Sequence, residues 1–215
     1  YPLSLRSAAS ELLRKAAEEL RWLINRGYPQ ESALNFVANH YRFPATQRNI
    51  LVRVVFSAQE VKELGKRKAR PEEVRNKELG IDGYNVLITV EAMLSKKPLY
   101  LCDDGWVRDA SAVFGKYRIN PKTRVAIRNI LQILDELKPK WFEFLFEKQV
   151  SWSGKLAELV RKEISEAELD GSAKTSANVD FELRKFSIIA TSDHAIALKH
   201  HKVLDLPALL VERLN

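Results

Sequence analysis

The positions where this sequence changes texture are marked by aspartates. Ile81-Asp82-Gly83-Tyr84-Asn85-Val86-Leu87 runs an apolar lead-in, Leu79 to Ile81, into a carboxylate, a glycine and, one residue on, an amide. Ser187-Ile188-Ile189-Ala190-Thr191-Ser192-Asp193 has the same form far downstream. Each reads as a buried strand whose C-terminal tip presents an acid, and such tips are where open α/β sheets keep their chemistry. Asp180 stands in the helix expected before the second strand and can turn toward the same edge. Glu147 ends another apolar run, Trp141–Phe146, and Asp103, Asp104 and Asp109 cluster after Leu99–Cys102. Carboxylates pressed together resist ionising unless a cation compensates them. Mg²⁺ or Mn²⁺, hard ions that prefer oxygen, are the economical choice. The expected ligands are Asp82, Asp180 and Asp193, with Glu147 and Asp104 as further candidates, and ions so held can activate water against a phosphodiester. Singly, each acid has a plainer use. Asp193 can cap the next helix, Asp180 can sit on a solvated face, and Glu147 can pair with Lys148 or Lys155. Their joint placement argues for a shared site.

Other chemistries lack their residues. No glycine-rich phosphate loop ends in Lys-Ser/Thr, no GxGxxG follows a strand, and no G-x-S-x-G elbow occurs, which argues against P-loop, dinucleotide-binding and α/β-hydrolase mechanisms. His200-His201 is a poor metal clamp, since neighbours in sequence point apart, and reads as surface. A single cysteine, Cys102, allows no intramolecular disulfide; it reads as a core thiol and fits a reducing cytoplasm. The sequence has no apolar run of about 18 residues, so no membrane span is expected.

The elements that position the acids alternate. Strands are expected at Leu79–Asp82, Leu99–Cys102, Trp141–Phe146, Ala167–Leu169, Phe186–Ala190 and Lys202–Leu204. Helices lie between them at Val86–Ser95, Pro121–Leu137, Gly154–Ile164, Ser176–Lys185 and Ala195–Lys199, and Pro207–Leu214 closes the chain. That alternation predicts an α/β fold, with a mostly parallel sheet and helices on both faces. Right-handed crossovers then bring all strand C-termini to one edge. The front of the chain differs. Residues 4–26 carry apolar side chains at helical spacing, a second helix runs from Pro29 to His40, and a third follows Pro44. Ser57 and Glu60 have capping-box spacing for a fourth. We therefore expect a helical domain over 1–68, a linker over 69–78, and an α/β domain over 79–215 with an insert near 97–120.

The net charge is +7, and nearly all of it falls in the first 78 residues. A basic front suits a polyanion, and a solvated basic surface is the plainer reading. Arg42, Arg48 and Arg53 on a helix-turn-helix-like segment, and Lys66, Arg67 and Lys68 after it, are the expected backbone contacts.

The two aspartate motifs carry a resemblance. Ile81-Asp82-Gly83-Tyr84-Asn85-Val86-Leu87 resembles the first motif of the PIN-like nucleases, the NYN branch in particular. Ala190-Thr191-Ser192-Asp193-His194-Ala195-Ile196 resembles that superfamily's closing Thr-x-Asp motif. Asp180 resembles the acid of the preceding helix. Phe144–Glu147 with Ser151-Trp152-Ser153-Gly154 resembles the second-strand segment and its loop, although aspartate is the more usual residue at position 147. The resemblance spans about residues 79–215. The whole chain is similar to an uncharacterised, mainly archaeal family that joins a helical front to a PIN-like back. The resemblance implies a PIN-like fold and a metal-dependent nuclease, most readily a ribonuclease, in which Asp82, Asp180 and Asp193 hold Mg²⁺ or Mn²⁺ while Asn85 and Thr191 orient ligands or water. The insert departs from that pattern. It is expected to add Asp104 as a ligand, or Trp106 and Arg108 as a clamp on the strand, or else to be a packing hairpin. The partner expected is nucleic acid, with a homodimer possible. Two other readings stay open: a degraded site serving as a nucleic-acid or partner-docking module, and a phosphatase for small phosphate esters.

Overall fold

The computed structural model describes residues 8–110 and 117–214; the expected start of the first helix, at residue 4, lies outside them. In chain order the first elements are α1 (Ala8–Ile24), α2 (Gln30–His40), α3 (Ala45–Val54), α4 (Ala58–Gly65) and α5 (Pro71–Val74). Next come β1 (Glu78–Asp82), α6 (Gly83–Leu94), β2 (Leu99–Leu101), β3 (Val107–Asp109) and α7 (Pro121–Leu137). The chain continues through β4 (Trp141–Glu147), α8 (Ser153–Glu166), β5 (Gly171–Ser176), α9 (Val179–Leu183), β6 (Ile188–Ala190), α10 (His194–Ala197), β7 (Val203–Leu204) and α11 (Leu206–Leu214). They divide into two units, Tyr1–Lys66 with Pro98–Ala112, and Arg67–Lys97 with Val113–Asn215.

In the first unit α1, α2 and α3 share a core that includes Leu20, Val37, Phe43 and Leu51. Apolar side chains at helical spacing bury one stripe of each helix, each large one worth roughly 1.5–3 kcal/mol. The capping box that opens α4 is formed: Ser57 Oγ accepts the Glu60 N–H at 3.2 Å, and Glu60 accepts the Ser57 N–H at 2.9 Å. The antiparallel β2–β3 hairpin belongs to this unit. Its Asp103 takes both arms of the Arg21 guanidinium, at 2.7 and 2.8 Å. Its Asp103 N–H donates to the Val54 carbonyl at 2.9 Å. The insert is thus a packing hairpin.

The second unit holds a five-stranded parallel sheet in the order β5-β4-β1-β6-β7. β1 is central and β4, read as Trp-Phe-Glu-Phe-Leu-Phe-Glu, lies beside it. Leu79, Ile81, Phe142, Phe144 and Phe146 are all buried, the near-continuous apolar texture of strands covered on both faces. From β1 the chain builds outward through β4 to β5, then returns to lay β6 on the other side of β1. The order reverses between β1 and β6, the position at whose strand C-termini open α/β sheets commonly bind ligands. Helices α6 and α8 pack against the sheet and α7 packs against both of them, with Leu87, Val90, Ile130, Leu134, Leu156 and Val160 in the core.

Two expectations are corrected. Residues 69–78 are no linker: the Ala69 N–H bonds the Val203 carbonyl at 2.8 Å, and Val74 on α5 is fully buried in the α/β core. Ala167–Leu169 is no strand: it closes α8, with Glu168 left-handed at φ 54° and the Leu169 N–H returning to the Ile164 carbonyl. The strand comes after it, at Gly171–Ser176.

Candidate active site

Asp82 ends β1 and caps α6 at once. Its side chain is fully buried. One carboxylate oxygen, Oδ2, accepts the Asn85 side-chain amide at 2.6 Å and the Thr191 hydroxyl at 2.8 Å. The other accepts the Asn85 backbone N–H at 3.4 Å. The strand-to-helix turn is this tight because residue 83 is glycine: a Cβ there would stand 2.3 Å from the Phe146 ring. At the end of β6 the Thr191 Oγ accepts the Asp193 N–H at 3.0 Å, and Asp193 Oδ1 caps α10 by accepting the Ile196 N–H at 3.0 Å. Ser192 Oγ donates to the Asn85 carbonyl at 3.1 Å. The tips of β1 and β6 are therefore stitched together through Asp82, Asn85, Thr191 and Ser192, with Asp193 on the rim.

Glu147 ends β4, the neighbour of β1 on the other side. It is 9 % exposed, and its Oε2 is buried with no hydrogen-bond partner. Burial pushes it up to about 7, and the charges of Asp82, Asp180 and Asp193 add to the rise. Burial likewise pushes Asp82 up to about 6, against the hydrogen bonds from Asn85 and Thr191 and with the Asp193 charge adding to it. Asp180 lies exposed on α9. The ends of β1 and β4 thus place Asp82 and Glu147 on neighbouring strands, and Asp193 follows β6 on the other side of β1. The Tyr84 hydroxyl adds a second orphan: it is buried and unpartnered, and burial and the Glu147 charge both push its ionisation up. Tyr84 and Ser192 were not singled out from the sequence. Their places inside the two aspartate motifs are the only signal, because a tyrosine at a helix start otherwise reads as core.

The Glu147 Oε2, buried without a partner, is the one observation here that a hard cation would answer. Among the described residues no three His, Cys, Asp or Glu side chains form a ready-made ion cage.

Other candidates serve elsewhere. Asp104 and Arg108 form a buried bidentate pair at 2.6 and 2.7 Å within the hairpin, and Arg108 stands 5.2 Å from the Phe56 ring centroid. Trp106 is fully buried. A carboxylate engaged by an arginine is no open ligand and a buried indole stacks on no strand, so the expectations for Asp104, Trp106 and Arg108 are corrected: these side chains pack within the helical unit. Arg48 is turned back on the Phe43 carbonyl and Asn39. Arg67 donates to the His200 carbonyl at 2.9 Å, and Lys66 pairs with Glu63 at 2.6 Å. Arg53 is half-buried, whereas Arg42 and Lys68 are exposed. Of the histidine pair read as surface, His201 is exposed but His200 is buried, with Nδ1 3.2 Å from the Lys202 carbonyl.

Residues 71–209 match the family described as Domain of unknown function (DUF5616), and residues 12–68 match Protein of unknown function (DUF434). The chain is also similar to an uncharacterised protein, MJ0935, of Methanocaldococcus jannaschii. The two are 39% identical over 206 residues, which cover 94% of this chain and 98% of the relative. No solved structure matches it. No helix among the described residues is long and apolar enough to cross a membrane.

Proposed function

We propose that this chain, which belongs to the DUF5616 family across residues 71–209, is a divalent-metal-dependent nuclease with a PIN-like α/β domain, acting on RNA. The observation that carries the reading is the pair of buried carboxylates at the ends of neighbouring strands where the strand order reverses: Asp82, tied to Asn85 and Thr191, and Glu147, whose buried Oε2 has no hydrogen-bond partner. Asp82, Asp180 and Asp193 would hold the ion, with Glu147 the further ligand. A bound Mg²⁺ or Mn²⁺ supplies Lewis-acid stabilisation of the phosphoryl oxygens. The chain's own residues do the rest. Asn85 and Thr191 fix Asp82 in one rotamer, and Thr191 relays that position to Asp193 through the N–H that its oxygen accepts. Glu147 and Asp82, both pushed up by burial, would hold a cation only in their ionised forms, so ion binding should tighten as pH rises. Lys148, directly after Glu147, is exposed and would meet phosphate oxygens, and Arg42 and Lys68, also exposed, would be further cations for the backbone.

The test is cleavage of end-labelled single-stranded RNA in Mn²⁺, with and without chelator. Wild type should cut and chelation should stop it. Asp82→Asn should lose cleavage while binding is kept or tightened. An Asp82→Asn protein that cuts as well as wild type overturns the proposal, and turnover of a chromogenic phosphate ester with no RNA cleavage favours the phosphatase reading.

A further inference from the structure

Directly after Glu147 the chain makes a tight turn. The Val150 N–H returns to the Glu147 carbonyl at 3.2 Å, the Ser153 N–H to the Val150 carbonyl at 3.1 Å, and Ser153 Oγ to the Lys148 carbonyl at 3.4 Å. Trp152 stands at the end of that turn, immediately before α8. It has φ 70°, a left-handed backbone that a bulky residue rarely adopts. Glycine or asparagine would hold the position with less strain. The indole does not offset the strain by burial, since it is 61 % exposed. Its recorded company is Lys155, whose Nζ lies 4.1 Å from the ring centroid. The Lys148 N–H donates to the Ser176 carbonyl at 2.8 Å, tying this turn to the end of β5. From there the chain enters α9, where Phe181 follows Asp180, is 56 % exposed, and has Lys185 Nζ 5.7 Å from its centroid. Two solvent-facing aromatic rings, each attended by a lysine, thus stand beside two of the four acids, on the β4–β5 side of the site.

We infer that Trp152 and Phe181 are stacking platforms that seat unpaired nucleobases next to the carboxylate site, and that Trp152 is the principal one. The inference rests on the nuclease reading and names what that site selects: a strand whose bases are free to leave their neighbours. A ring face accepts any base, and an adjacent ammonium meets the phosphate beside it, which is how single strands are held without sequence readout. A base paired in a duplex cannot take that seat.

The experiment reads binding, so it does not depend on cleavage. Fluorescein-labelled 12-nucleotide single-stranded RNA is titrated by anisotropy in Mg²⁺ with the full-length Asp82→Asn protein, alone and combined with Trp152→Ala, Trp152→Phe or Trp152→Gly. A parallel set of strands carries one abasic position each. Trp152→Ala should weaken the intact strand roughly tenfold, with Trp152→Phe keeping most of the affinity. One abasic strand should bind as weakly as the variant does and be indifferent to Trp152→Ala, as coupling of ring and base requires. Trp152→Gly should lose affinity while its melting temperature holds or rises, because the backbone is relieved. Equal binding by Trp152→Ala, or equal losses on intact and every abasic strand, overturns the stacking role and leaves the nuclease reading standing if wild type cuts RNA. A protein that binds no single strand removes both.

Discussion

Asp82 carries two constraints at once, and they pull against each other. It is the cap of α6 and the acceptor of Thr191, which favour its ionised form. It is also fully buried beside other acids, which disfavours that form, and burial wins. The same holds for Glu147. Both ionise above the ordinary carboxylate value of about 4, so the folded chain binds more protons than the unfolded one across the window from about pH 4 to about pH 7. Their contribution to stability is therefore full below that window and is lost as pH rises through it. Melting temperatures in chelator should fall from pH 5 to pH 8, less steeply in Glu147→Gln, and added Mg²⁺ should raise them more at pH 8 than at pH 5. A melting curve indifferent to Glu147→Gln across this range would contradict the burial of that charge. At this scale the sequence was legible where an acid ended an apolar run, as Asp82, Glu147 and Asp193 do. It was not legible at Trp152, because a φ angle leaves no mark in a Ser-Trp-Ser-Gly string. Asp104 and Arg108 misled for a related reason: their spacing across a tight turn looks the same whether the pair is open or closed.

Among the elements, the β1–α6 junction depends most on a single position. Phe146 lies against the backbone at Gly83, and a Cβ there meets ring atoms of a side chain that is itself fully buried. Gly83→Ala should cost about 1–3 kcal/mol, the usual range for overpacking a core, seen as a lower urea midpoint. It should also impair cleavage more than the stability loss explains, because the residue it moves is Asp82. The central strands were readable from their apolar runs, since a parallel strand covered on both faces has nowhere for a polar side chain. β5 was not. It is an edge strand beside β4, and only Ala173 of its six residues is buried. Its Gly-Ser-Ala-Lys-Thr-Ser sequence therefore reads as loop, and the apolar turn before it, Ala167–Leu169, drew the assignment instead.

On the scale of the whole molecule, the α/β class and the helical front were visible as a change from helical spacing to alternating runs. The division of the chain was not, because a hairpin's allegiance is decided by partners far away in sequence. The hairpin is interposed between α6 and α7, yet its Asp103 is held by Arg21 and by the α3 end of the helical unit. Residues 8–66 expressed alone should be markedly less helical than the same segment carrying 98–110 on a flexible tether, a difference circular dichroism reads directly. Fusion of the tethered hairpin with no gain in helicity would argue against its structural role. The chain accordingly crosses from one unit to the other three times, at Lys66, at Lys97 and again after Ala112. A protease that cuts the basic run Lys66-Arg67-Lys68 would sever the peptide without parting the halves, since the amino-terminal fragment still grips a loop covalently rooted in the remainder. The two pieces should elute together from a native column and separate only in denaturant.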